Sequence, residues 1–177
     1  MKLIVLDRDG TINHDSAQYI KSPEEWRPIR GSLEAIARLA HGGWRIVVAT
    51  NQSGIARGLF DVATLNAIHD TMHRAVVQAG GRIDAIFYCP HAADADCGCR
   101  KPKPGMLREI AARMNVELSE VPVVGDALRD LEAAAAAGAR PHLVLTGKGK
   151  KTRAAGGLPA ATRVFPDLAA VAAQLVP

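Results

Sequence analysis

The strongest constraint on this chain is an alternation. Six short apolar runs, Lys2–Leu6, Trp44–Ala49, Ile83–Tyr88, Val121–Val124, His142–Leu145 and Val164–Phe165, are separated by longer stretches with helical periodicity. Runs such as Leu3-Ile4-Val5-Leu6 and Ile46-Val47-Val48 are continuously apolar, the pattern of strands buried on both faces. Between them, Leu33, Ile36, Ala37 and Ala40 fall on one helical face, as do Leu65, Ile68, Met72, Ala75, Val76 and Ala79. Gly42-Gly43, Gly80-Gly81 and Gly138 mark helix ends, and Asp61 is an N-cap residue. Further helices are expected from about Pro104 to Met114, from Ala127 to Ala137 and from Asp167 to Leu175. Strand–helix alternation predicts a three-layer, doubly wound (Rossmann-like), mostly parallel α/β sheet. No linker divides the chain, so residues 1–177 are expected to form one domain with a real core.

Two segments carry no clear period. Asn13 to Arg30 reads as a loop over the strand ends, and Thr146 to Gly157, rich in Lys and Gly, as a mobile loop. His69 and His73 lie four apart on one helix with no acidic or Cys neighbour in sequence, and are read as a partly solvated face.

Composition excludes several roles. No apolar run reaches the ~18 residues of a membrane span, so no membrane partner is expected. Met1-Lys2 leads directly into a strand with no signal-peptide pattern, which predicts a cytoplasmic chain. The formal charge of +4 suits small phosphorylated substrates. Aromatics are only 4% and do not alternate with basic residues, so no nucleic-acid partner is expected. A monomer is expected.

Polar residues cluster at the strand ends, where open α/β sheets bind ligands. Asp7-Arg8-Asp9-Gly10-Thr11 follows the first strand, Thr50-Asn51-Gln52-Ser53-Gly54 the second, and Gly125-Asp126 with Asp130 the fourth; Lys101 stands on a loop before a helix. Phosphoryl transfer needs these parts. Asp7, Asp126 and a backbone carbonyl offer the oxygen ligands that magnesium prefers. A free oxygen of Asp7 can attack phosphorus, while Thr50 and Lys101 neutralise its oxygens. Asp9 can protonate the leaving group and later deprotonate water. Cys89, His91, Cys97 and Cys99 supply four ligands within eleven residues, a closed structural zinc site. A zinc-containing nucleic-acid-binding module is the non-enzymatic alternative.

With these motifs the chain resembles the haloacid dehalogenase (HAD) superfamily of aspartate-nucleophile phosphatases over nearly its whole length. The resemblance implies that Asp7 is the nucleophile, Asp9 the general acid/base, and Thr50 and Lys101 the phosphoryl-stabilising pair. It places Mg2+ on Asp7, the Asp9 carbonyl and Asp126, with Asp130 beside them. Neither gap between motifs has room for a separate cap domain, so an open site is expected. The zinc-binding loop and the segments Thr50–Gly58 and Cys99–Pro102 are similar to a branch acting on a heptose 1,7-bisphosphate of lipopolysaccharide precursor synthesis. That likeness implies removal of the 7-phosphate, with Asp15, Ser16, Ala17, Gln18, Asn51, Gln52, Ser53, Arg57 and Arg100 binding substrate. Two features depart from the branch: the zinc loop is shorter than usual, and Ala127 stands where a Lys is common. Histidinol-phosphate phosphatases share the motifs and are the alternative.

Overall fold

A computed structural model describes residues 1–177. Its sheet has six strands: β1 (Leu3–Leu6), β2 (Arg45–Asn51), β3 (Ala85–Cys89), β4 (Pro122–Gly125), β5 (Arg140–Val144) and β6 (Arg163–Phe165). Every pairing is parallel and the order is β3-β2-β1-β4-β5-β6. The order reverses direction between β1 and β4, and in open α/β sheets the crevice at that switch point is where ligands bind.

Period-two alternation divides the strands between two cores. Ile4, Leu6, Ile46 and Val48 face α1 (Ser32–His41), α2 (Val62–Gln78) and α6 (Leu168–Leu175). Leu3, Val5, Val47 and Ala49 face α3 (Gly105–Met114) and α4 (Leu128–Ala136). Both faces are therefore covered, which is why the runs are continuously apolar. The Asp61 carboxylate caps α2 by accepting from Thr64 N at 2.8 Å, as its position suggests. No helix is long and apolar enough to cross a membrane. The fold is the expected doubly wound one.

Two expectations are corrected. The stretch 146–157 contains a helix, α5 (Gly149–Ala155), and its entry is pinned rather than loose. Thr146 Oγ1 donates to Gly10 O, Lys148 N to Asp126 Oδ2 and Thr152 Oγ1 to Asp126 O, each at 2.7 Å. Lys and Gly composition suggested mobility because these partners lie far away in sequence. His69 is not solvated: it is buried, and only His73 is exposed.

Candidate active site

The chain leaves β1 as Asp7-Arg8-Asp9 and turns sharply at Gly10, whose φ is +83°. A Cβ there would stand 2.1 Å from Asp126 Oδ2, so only glycine lets the β1 and β4 ends meet. Gly147, at φ +53°, lies beside Gly10 and comes equally close to the same Asp126 oxygen. Two glycine turns therefore make room for the Asp126 carboxylate.

Lys101 lies 94 residues from Asp7, yet its Nζ is 2.9 Å from Asp7 Oδ1 and 2.6 Å from Asp130 Oδ1, and it donates to Ala49 O at 2.8 Å. All three side chains are buried. The Lys101 backbone is fixed by Asn51, whose amide accepts from Lys101 N at 3.1 Å and donates to Lys101 O at 3.0 Å. The two residues read from sequence as separate strand-end groups therefore form one clamp. Asp130 Oδ2 also accepts from Ala127 N at the start of α4.

Carboxylate oxygens of Asp7, Asp126 and Asp130 lie within 4.8 Å of one another. Burial, the Asp130 carboxylate and Asp126 push Asp7 up to about 7, against the opposing pull of Lys101. Burial chiefly, with Asp130 and Asp15, raises Asp126 to about 6. Burial alone would discharge Lys101, but Asp130 and Asp7 hold its pKa above the usual value. Three buried carboxylates against one ammonium leave a negative excess. A hard divalent cation with oxygen ligands is the group this donor set fits.

Asp9 has the opposite electrostatics. Burial would raise its pKa, but the Arg8 guanidinium and the Asn13 and Gln52 amides hold it below the usual carboxylate range. Arg8 is fully buried and donates through Nε (3.1 Å) and Nη2 (2.8 Å) to Asp9 Oδ1. Asn13 Nδ2 reaches the same oxygen at 2.9 Å, and Gln52 Nε2 donates to Asp9 Oδ2 at 3.1 Å and to Thr50 Oγ1 at 2.9 Å. Arg8 Nη1 lies 3.2 Å from His69 Nε2. Burial and the adjacent guanidinium depress His69 to about 4, so the ring is neutral and accepts this hydrogen bond. Sequence reasoning missed Arg8, Asn13 and His69. The available signal for His69 was its place on the apolar stripe, between Leu65 and Met72.

A cavity of about 220 Å³ opens over these groups. Of the substrate-binding candidates, Asp15, Ser16, Ala17, Asn51, Gln52, Ser53 and Arg100 line it, together with Asp9. Gln18 and Arg57 do not: Gln18 is exposed, and the Arg57 guanidinium lies over the Tyr19 ring at 5.8 Å. Arg129 and Lys148, absent from the sequence-based candidates, also line the cavity.

The loop after β3 gathers the cysteines. Cys89 Sγ lies 3.4 Å from His91 Nδ1 and 3.9 Å from Cys97 Sγ, and Cys99 Sγ is 3.3 Å from the same nitrogen. Ligands on one tetrahedral zinc at the usual bond lengths stand about 3.5–3.8 Å apart, so the four donors fit that ion. The Arg100 N–H pulls Cys97 down to about 7, whereas burial pushes Cys89 up to about 12. Lys103 Nζ donates to Cys97 O at 2.8 Å, tying the cluster to the segment that carries Lys101.

Known proteins share this architecture. A HAD-hydrolase-like family model matches residues 98–171. The chain is 65% identical, over 99% of its length and 98% of the relative's, to the D-glycero-β-D-manno-heptose-1,7-bisphosphate 7-phosphatase of Bordetella bronchiseptica. It is 55% identical to the enzyme of that name from Pseudomonas putida, over 99% of this chain and all of the relative. The crystal structure of the D,D-heptose 1,7-bisphosphate phosphatase from B. bronchiseptica, complexed with magnesium and phosphate, superposes with a TM-score of 0.98 over 99% of this chain and 98% of that one. The corresponding Burkholderia thailandensis structure, 58% identical, gives 0.80 over 98% and 97%. Full-length identity at this level, on the same fold, settles the family: the chain belongs to the D-glycero-β-D-manno-heptose-1,7-bisphosphate 7-phosphatases of the HAD-like hydrolases.

Proposed function

We propose that this chain is a phosphomonoesterase that hydrolyses the 7-phosphate of D-glycero-β-D-manno-heptose 1,7-bisphosphate and leaves the 1-phosphate in place. The observation that carries the chemistry is the buried Asp7 carboxylate, held 2.9 Å from Lys101 at the β1/β4 switch point. In this reading Asp7 attacks phosphorus and the bond to the C7 oxygen breaks. Thr50 and Lys101 bear the charge on the phosphoryl oxygens. Asp9 gives its proton to the departing alkoxide, then takes one from the water that cleaves the aspartyl phosphate, which regenerates Asp7. Arg8, Asn13 and Gln52 orient Asp9 and favour its ionised form. The dianionic substrate arriving beside it raises its proton affinity and supplies the acid form for the first step.

Asp7, Asp126 and the Asp9 carbonyl would hold Mg2+, with Asp130 beside them. When bound, the ion supplies Lewis-acid stabilisation of the phosphoryl oxygens. Cys89, His91, Cys97 and Cys99 would hold a structural Zn2+ that fixes the loop between β3 and Lys101. Residues 1–177 would act as one domain, monomeric and cytoplasmic.

The test is a substrate panel. Purified protein with magnesium is offered heptose 1,7-bisphosphate in both anomers, histidinol phosphate and simple sugar phosphates. The expected result is highest kcat/KM for the β-bisphosphate, with phosphorus NMR showing a 1-phosphate product. Higher kcat/KM for histidinol phosphate reverses the substrate assignment. Full activity of Asp7→Asn removes the covalent mechanism.

A further inference from the structure

Arg129 stands in the first turn of α4, three residues beyond Asp126, and lines the cavity over Asp9. It makes no hydrogen bond or ion pair, and its Nε is buried without a partner. Its neighbours along the cavity wall are engaged. Lys148 Nζ is paired with Asp15 Oδ2 at 2.9 Å, and Arg100 Nη1 contacts His91 O at 3.5 Å.

The cavity's charge balance gives this isolation a meaning. Five charged residues line it: Asp9, Asp15, Arg100, Arg129 and Lys148. Asp9 is neutralised by Arg8 and Asp15 by Lys148. Two guanidinium groups are left over, Arg100 and Arg129, enough to match a phosphate dianion. The charges of Asp130, Asp7, Asp126 and, least, Asp15 also act on Arg129 and raise its pKa. Asp7, Asp126 and Asp130 with Lys101 carry a net charge of about −2 when ionised, which the divalent cation that their donor set fits would offset. Arg129 is then free to point its fork at an incoming oxyanion, and a guanidinium can grip two phosphate oxygens at once. The transferred phosphoryl group already has Thr50, Lys101 and the carboxylate-bound cation as partners.

We propose that Arg129 is a specificity-determining residue that binds the phosphate the substrate keeps, sharing that dianion with Arg100. The inference rests on the bisphosphatase reading above. It gives the first turn of α4 two roles: Asp130 supports the chemistry inward through Lys101, and Arg129 reads the substrate outward.

The experiment compares kcat/KM for heptose 1,7-bisphosphate and for heptose 7-phosphate, which lacks the retained group, in wild type, Arg129→Gln and Arg129→Lys. Loss of a charged hydrogen bond worth roughly 1.5–3 kcal/mol corresponds to about ten- to hundredfold. In Arg129→Gln the preference for bisphosphate over monophosphate is expected to fall by about tenfold or more, mainly through KM. Arg129→Lys should recover part of it, since the charge returns without the fork. Equal losses on the two substrates would place Arg129 on the transferred phosphate or the carboxylates and overturn the proposal, as would an unchanged ratio. The outcomes separate from those of the parent reading. If wild type itself shows no preference for the bisphosphate, the bisphosphatase assignment fails and this inference with it; if wild type shows the preference and Arg129→Gln keeps it, only the role of Arg129 fails. Should Arg129→Gln not fold, the wild-type-to-Arg129→Lys comparison decides: an unchanged ratio there refutes recognition by the guanidinium fork.

Discussion

Replacing the nucleophile should stabilise the protein. Asp7 is 5% exposed, and its pKa is pushed from 3.8 to about 7, even with Lys101 2.9 Å away. Burial and the Asp130 and Asp126 charges outweigh the ammonium, so the metal-free fold prefers a neutral group here. In the unfolded chain the carboxyl ionises near its ordinary value. Between those two values the folded state holds the proton more tightly, so the stability linked to Asp7 is full below about pH 4 and lost as pH rises to about 7. A shift of about three units corresponds to roughly 4 kcal/mol at the upper end. Coupling to Asp126 and Asp130 spreads part of that over the cluster, so about 2–4 kcal/mol is the expected range. Asn is the neutral isostere and escapes the penalty. Asp7→Asn should therefore be inactive yet more stable than wild type at pH 8 in EDTA, by roughly 4–16 °C for a chain of this size. The gap should narrow as pH falls toward 4, and should close when magnesium is added to wild type. The assay is thermal unfolding of both proteins at several pH values, with EDTA or excess Mg2+. A lower Tm for Asp7→Asn at pH 8 in EDTA would show that the Lys101–Asp7 pair dominates and would refute the reasoning.

Three further outcomes follow from the geometry. Gly10→Ala combines a Cβ 2.1 Å from Asp126 Oδ2 with a left-handed φ; it should cost about 2 kcal/mol or more in urea unfolding and reduce kcat/KM by about tenfold or more, because Asp126 must move. His69, held neutral with a pKa near 4, takes up a proton on unfolding below its ordinary value of 6.5; wild type should lose about 2–3 kcal/mol between pH 7 and 4.5 that His69→Gln does not lose, and parallel urea-midpoint curves for the two proteins would contradict the buried-acceptor role. Zinc should be found at one per chain by elemental analysis, and Cys97→Ser should lower Tm by at least about 5 °C; absence of zinc together with an unchanged Tm sinks the structural-zinc assignment.

The sequence determined what local chemistry and periodicity can determine. Continuous apolar runs such as Leu3–Leu6 carry their own evidence of double-sided burial, and the Gly42-Gly43 and Asp61 signals end and start helices through backbone effects that act within a few residues. The strand-end carboxylates and the cysteine loop were legible because motif spacing is itself a local property. Contacts across the chain were not. Arg8 looked like the spacer of a motif, yet tertiary packing buries it completely and turns it onto Asp9 and His69. The Lys- and Gly-rich stretch after β5 looked mobile, yet its backbone and hydroxyl groups find Gly10 and Asp126. Arg129 sat unremarked on a helix, and only the folded structure shows that it lines the cavity beside Asp9 with its Nε unpartnered. A side chain's chemical type is written in the sequence. Its charge state, its partners and whether it is left unpaired depend on which distant groups the fold brings to it, and at this switch point those groups come from four strand ends at once.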